Sequence, residues 1–270
     1  MLKVRLIPVH YLMNGRIVRS EGFRDFKVIG NPLGQLERLN AWKADELVFI
    51  DITREGDHDL MRDDHQVKGL GDILSILGAV AGQVFMPLTF GGRIHSLEDV
   101  DRFIRHGADK VVINSQAHRD PELVTRVARK YGTQAMVAGL DVRREADGTW
   151  RVLIDQGQTV VGDDPAAYAR RLQELGAGEI LLNSIDRDGT ARGFDLDAVS
   201  LVADAVRIPV IACGGAGRFE HFAEAIDRTA AAALAAGNIF HFTENAYRRA
   251  KRLLFERGYP VRYPYPRATT

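Results

Sequence analysis

The chain has 270 residues, a length that suits one large domain better than a minimal one. Its 36 Lys plus Arg balance 36 Asp plus Glu, so no global field draws nucleic acid or an anionic membrane, and any anionic ligand must be held by local devices. A single cysteine, Cys213, excludes an intrachain disulfide; no charged-then-apolar leader and no apolar run approaching about 20 residues is found, so a cytoplasmic protein without a membrane span is expected.

In chain order, VRLIPV (4–9) reads as a first strand running into a loop that begins near His10 and Tyr11 and turns at Asn14-Gly15. A helical pattern, PLGQLERLNAWK (32–43), leads to a second strand, ELVFID (46–51). REGDHDLMRDDHQVKGLGD (54–72) reads as a polar insertion whose Asp and His residues fit no standard ligand spacing, so no metal is expected. Further strands follow at VFMPLTF (84–90), KVVIN (110–114), AMVAGLD (135–141), EILLNS (179–184), IPVIAC (208–213) and AAAALAA (230–236). Between them lie SLEDVDRFIRHG, DPELVTRVARKYG, DPAAYARRLQELG and DLDAVSLVADAV, several opening on a Ser or Asp cap and closing at Gly. Eight strands alternating with helices predict an α/β fold, a (β/α)8 TIM barrel over residues 1–258. No GxGxxG follows the first strand, and no cofactor is expected. The tail, 259–270, carries three prolines that disfavour both helix and sheet ladders; it is expected to lie on the barrel bottom through its tyrosines or to reach a partner.

The halves of the chain echo each other. ADELVFIDI (44–52) returns as AGEILLNSI (177–185), 133 residues later, and the Gly91 pair in PLTFGG returns at Gly214, 123 residues later. The two offsets differ by the length of an insertion between Asp51 and Gly91, which the polar 54–72 stretch supplies. Two duplicated half-barrels explain the pattern.

In such a barrel the site is built by loops at the C-terminal ends of the strands. Gly91-Gly92 and Gly214-Gly215 stand at equivalent ends, where glycine lets backbone N–H groups approach an oxyanion; the neighbouring ends are Asn114-Ser115 and Ala236-Gly237. Together they predict two phosphate cradles, one per half, for a ligand with a phosphate at each end. Asp141 ends the fifth strand and is the leading acid–base candidate, with a helix cap or an Arg143 partner as the bland alternative. Asp188, beside Asp186 in SIDRDGT, is a further catalytic candidate in a loop that equally resembles a plain turn, and Asp51 ends the second strand. His10 and Tyr11 offer hydrogen bonds, and Cys213 reads as a small packing residue.

Taken together, IPxxxxxNGRIV, ADELVFIDIT, PLTFGG, GADKVVINS, GAGEILLNSIDRDGT, IPVIACGGAG and AAGNIFHF resemble the cyclase subunit family of imidazole glycerol phosphate synthase, from Val4 to about Phe242. The resemblance implies a barrel that takes ammonia from a glutaminase subunit at its N-terminal face and consumes it at the opposite mouth, on a phosphorylated small molecule. It also implies an ammonia gate of four charged residues, which fall here on Arg5, Glu46, Lys110 and Glu179. Of the family's two catalytic aspartates one matches Asp141, but the other falls on Tyr11. The lysine of the following loop falls on Arg19, a Gly-Gly-Gly reads Gly91-Gly92-Arg93, and a threonine reads Asn183. A tyrosine of ordinary pKa about 10 cannot serve as the carboxylate base that closing an imidazole ring needs. The expectation is therefore an ammonia-using paralogue of the surface-polysaccharide branch, forming an amidine on a sugar nucleotide with Asp141, Tyr11 and Asp188 in its chemistry. The alternatives are the histidine-pathway cyclase itself, with His10 or another acid covering for Tyr11, and a non-catalytic ammonia conduit.

Overall fold

The computed structural model describes residues 3–53 and 72–263. The insertion expected at 54–72 thus lies, apart from Asp72, outside the described residues, as does the tail from 264 onward. The strands are β1 (Arg5–Met13), β2 (Arg16–Glu21), β3 (Asp25–Gly30), β4 (Leu47–Asp51), β5 (Leu88–Gly91), β6 (Lys110–Ile113), β7 (Met136–Arg144), β8 (Trp150–Ile154), β9 (Thr159–Gly162), β10 (Glu179–Ser184), β11 (Val210–Cys213) and β12 (Ala233–Ala236). Eight of them form a closed parallel cylinder in the order β1-β4-β5-β6-β7-β10-β11-β12 and back to β1. This is the (β/α)8 barrel that the alternating pattern predicts. Two antiparallel hairpins stand off it, β2–β3 from the end of β1 and β8–β9 from the end of β7.

The strand boundaries have local causes. β1 does not break at His10 and Tyr11 as expected but runs to Met13, because β2 pairs back onto it through Tyr11–Val18 and Met13–Arg16. The reversal is at Asn14 and Gly15, both left-handed (φ 51° and 72°), the turn whose twist matches a hairpin. β5 starts only at Leu88, since Pro87 has no N–H for a ladder. β7 extends three residues past Asp141 because β8 continues its pairing.

Alternation along each strand sorts the core into two layers. Ile7, Val48, Val112, Val137, Leu181, Ile211 and Ala233 belong to an interior column inside the cylinder. Leu6, Phe49, Leu182 and Ala212, their neighbours in sequence, face the surrounding helices instead. Each large side chain buried in either layer contributes about 2 kcal/mol of transfer free energy. Helix starts follow the expected caps: Ser96 and Asp99 exchange bonds across the first turn of the helix at Leu97–Arg105, and Asp164 and Asp195 accept from Ala167 and Ala198 N–H. Asp120 makes no cap and pairs with Arg126 instead.

The repeat is visible in the backbone. Helices Leu97–Arg105 and Ser115–Arg119 and strand β6 recur 123 residues on as Glu220–Arg228, Asn238–Phe242 and β12. The residues before the short helices share an unusual conformation, Asn114 at φ −113°, ψ −89° and Gly237 at φ −103°, ψ −77°.

At the N-terminal face the last helix, Ala246–Glu256, ties the strand starts together. Tyr247 donates to the Leu6 carbonyl (3.0 Å) and accepts from Asp45 N–H (2.8 Å), while buried Lys251 pairs with Asp45. The tail packs here as far as it is described. Val4 N–H donates to the Pro260 carbonyl (2.7 Å), Val261 bridges Val4, and Tyr263 stacks on Phe255. Proline keeps its carbonyl acceptor, so one bridge forms where a ladder cannot. No helix among the described residues is long and apolar enough to cross a membrane.

Candidate active site at the barrel mouth

The starts of four strands meet in a closed ring of charge. Arg5 bonds Glu46 (2.6 Å) and Glu179 (2.7 Å), and Lys110 bonds the same two carboxylates at 3.0 and 2.9 Å. Glu46 also accepts from the Thr89 hydroxyl at 2.8 Å. Each acid touches both bases, so the ring is neutral as a unit. Against the opposing effect of burial, Glu179 and Glu46 hold the Arg5 guanidinium above its ordinary range. Above the ring stands the apolar interior column, and above that the mouth.

The mouth opens into a cavity of about 660 Å³, a volume suited to a small-molecule ligand. Its walls among the described residues come from the ends of β4 to β7 and β10, from Phe23 and Phe26 of the β2–β3 hairpin, and from Asp155 and Gln156 of the β8–β9 turn. Asp141 lies in this wall, on the inward face that Val137 and Gly139 share. Burial pushes its carboxyl up to about 7, the nearby Asp188 adds to that, and a 2.6 Å bond from Asn114 Nδ2 opposes it. Gly139 makes that bond possible: a Cβ there would come within 2.8 Å of the Asn114 Cβ. A carboxyl titrating near neutrality can both take and return a proton at working pH.

Tyr11 is also in the wall, buried, with its hydroxyl accepting from Asn183 Nδ2 at 3.0 Å and 3.9 Å from Cys213 Sγ. Burial, with the neighbouring Cys213, Asp188 and Asp141, drives its phenol well above its ordinary range. It stays protonated, able to donate but not to act as a base. Cys213 is a buried thiol, pushed up to about 12, and fits its expected packing role.

The two expected cradles differ. Gly92, Asn114 and Ser115 line the cavity, with Gly91 buried behind Gly92. The Asn114 amide is engaged by Asp141, and the Ser115 hydroxyl accepts from Asp155 N–H at 3.0 Å. Gly214, Gly215, Ala236 and Gly237 are not among the described residues that line it. Neighbouring chain also demands these glycines: a Cβ on Gly92 (φ 90°) would sit on the Asp51 carbonyl, and one on Gly215 (φ 94°) on the Gly193 carbonyl. Arg93, in place of a third glycine, takes a left-handed φ of 55° at the cavity edge.

Asp51 lines the same cavity from the end of β4, whereas the remaining candidates lie elsewhere. Asp188 is buried below the β2–β3 hairpin, accepting from the Ser20 hydroxyl (2.5 Å) and Phe23 N–H (3.4 Å), and Asp186 accepts from Arg144 N–H. Asp51 accepts from Thr53 N–H (2.9 Å) and its hydroxyl. His10 faces away from the mouth: the alternation of β1 turns it outward against Phe49, where it shares a 3.0 Å hydrogen bond with His241. Arg19 is on β2, paired with Glu21, rather than in a loop. Phe23, Phe26, Asp155 and Gln156 reach the wall from hairpins that the strand pattern does not anticipate. A signal exists in Asp155-Gln156-Gly157, between the apolar RVLI and TVVG runs. Among the described residues no group of three or more His, Cys, Asp or Glu is placed to hold a metal ion.

A family model described as histidine biosynthesis protein matches residues 5–245. The chain is similar to the imidazole glycerol phosphate synthase subunit HisF of Thermobifida fusca (strain YX), at 43% identity over 271 residues, spanning 97% of this chain and 99% of that protein.

Proposed function

The chain belongs to the histidine biosynthesis protein family, and on that premise we propose that it is the ammonia-consuming synthase subunit of a glutaminase-coupled pair, acting on a phosphate-bearing substrate. The observation that carries this reading is the alignment of three parts on one axis: the Arg5–Glu46–Lys110–Glu179 ring, the apolar column above it, and Asp141 at the far end. Ammonia from a glutaminase docked at the strand starts would enter where the ring parts. It would cross the apolar interior uncharged and meet the substrate beside Asp141. There the carboxylate takes a proton from the nitrogen as the C–N bond forms, and the acid so made can return it to a leaving group. The substrate phosphate would lie at the Gly92–Asn114–Ser115 corner.

In its finer form the proposal is amidine formation on a sugar nucleotide. It is supported by Tyr11, a phenol held protonated where a ring-closing enzyme of this type needs a second carboxylate. A second reading, formation of imidazole glycerol phosphate itself, is favoured by 43% identity to a HisF over 97% of the chain. His10 cannot rescue that chemistry, since it faces away from the mouth. The readings separate in an assay with the phosphoribulosyl-formimino intermediate of the histidine pathway and saturating ammonium salt, followed by loss of its chromophore. The amidine reading expects no turnover by folded protein. Turnover on the order of 1 per second, an ordinary enzyme rate, would establish the second reading.

A further inference from the structure

Arg93 and Arg119 line the mouth cavity from neighbouring strands, Arg93 just past the end of β5 and Arg119 at the end of the short helix that follows β6. The internal repeat accounts for neither: 123 residues on, their counterparts are Ala216 and Phe242. The backbone does not favour a side chain at 93 either. Arg93 has a left-handed φ of 55°, a conformation that an L side chain resists and glycine adopts freely. A residue held in such a conformation at a cavity wall points to a side chain that serves the ligand.

The surrounding donors show what that side chain adds. The Asn114 amide is engaged by Asp141 at 2.6 Å. The Ser115 hydroxyl accepts from Asp155 N–H at 3.0 Å, which leaves its proton to donate into the cavity. Arg119 bonds the Asp155 carboxylate at 2.8 Å, so one residue orients both the hydroxyl and the guanidinium. Ser115 and Arg119 together suit one phosphoryl group. A second guanidinium in the same wall, with its two-pronged fit to phosphate oxygens, suits a second phosphoryl group. Both arginines are exposed, which sets their charge at the outer edge of the cavity, whereas Asp141 is buried.

From this arrangement we propose that the corner is a diphosphate subsite and that Arg93 determines it. The ligand is a nucleoside diphosphate ester, its sugar reaching inward to Asp141 and its nucleoside outward past the arginines. The inference rests on the amidine reading and deepens it, since a phosphate monoester leaves the second guanidinium without a phosphoryl partner.

The test is calorimetric titration of the full chain with UMP and UDP, two probes that share a nucleoside and differ by one phosphoryl group. Wild type should bind UDP about tenfold more tightly than UMP or better, the factor expected of one charge-assisted contact. Arg93→Gly should bring the two within about threefold while leaving UMP affinity within about threefold of wild type. The same variant should melt no lower than wild type, since glycine takes φ 55° without strain, so its lost preference is not a lost fold. Arg93→Lys, which keeps the charge but not the fork, should fall between. Wild type binding both probes within threefold would overturn the inference, as would folded Arg93→Gly with its tenfold preference intact or binding of neither probe. The ammonium assay judges the ammonia chemistry separately, because it does not draw on the diphosphate contact.

Discussion

Tyr11 and Asp141 occupy matching places in the two halves: Tyr11 pairs with Ile50 and Asp141 with Asn183, and Ile50 and Asn183 are 133 residues apart, the spacing of the repeat. Burial acts on both, yet only the carboxyl ends near neutrality, at about 7. Between the unfolded value near 3.8 and 7 the folded protein holds a proton that the unfolded chain has released, so this group's stabilising contribution is lost as pH rises through that window. Asp141→Asn should therefore stabilise the protein above pH 7, by at most about 4 kcal/mol, with little gain near pH 4, while abolishing activity. Urea midpoints at the two pH values check this; equal midpoint shifts would refute it. The His10–His241 pair has the opposite sign. Burial first, then His241 and Arg38, lower His10 well below 6.5, and burial with Arg38 lowers His241 to about 4. Over roughly pH 4 to 6.5 the unfolded chain binds more protons, so stability falls as pH drops. His10→Phe should reduce the pH-dependent loss of stability measured between pH 7 and 5.

Among the elements, glycines separate positions that packing dictates from positions it does not. Gly92 has φ 90° and no room for a Cβ beside the Asp51 carbonyl, so Gly92→Ala should cost more than about 3 kcal/mol or prevent folding. Gly78 lies exposed in the helix Ile73–Ala81, and an added methyl there would meet nothing within 4 Å, so Gly78→Ala should gain about 1 kcal/mol. Thermal melts of the two variants should move in opposite directions. The eight barrel strands were legible because each carries an apolar run bounded by turn residues. The hairpins were not: β3, DFKVIG, and β9, TVVG, are short and half exposed, and their pairing comes from extending β1 and β7. That extension is also why the cavity wall holds Phe23 and Gln156, residues no strand-end rule selects.

At the scale of the molecule, the barrel joins a charged floor to a titratable mouth through an apolar interior. The floor residues were recognisable from family resemblance rather than from spacing, since strand-start charges are common and their closure into one ring is a property of the cylinder. Glu46, almost fully buried, binds Arg5, Lys110 and Thr89 at once. Glu46→Ala leaves two cations facing one carboxylate and should cost about 3–5 kcal/mol, read as a lower denaturation midpoint. At the mouth, Asp141 was legible as a strand-end carboxylate, whereas its Asn114 partner and the packing of Gly214-Gly215 depend on contacts between the ends of neighbouring strands and their loops, which spacing alone does not give. The account turns on one carboxylate that carries both proton transfers. Its most direct test is carboxyl carbon NMR titration of protein labelled at aspartate, with Asp141→Asn to assign the signal. A resonance titrating near 7 and absent from the variant is the predicted result; an Asp141 resonance that titrates near 4, like an ordinary exposed carboxyl, would contradict the account.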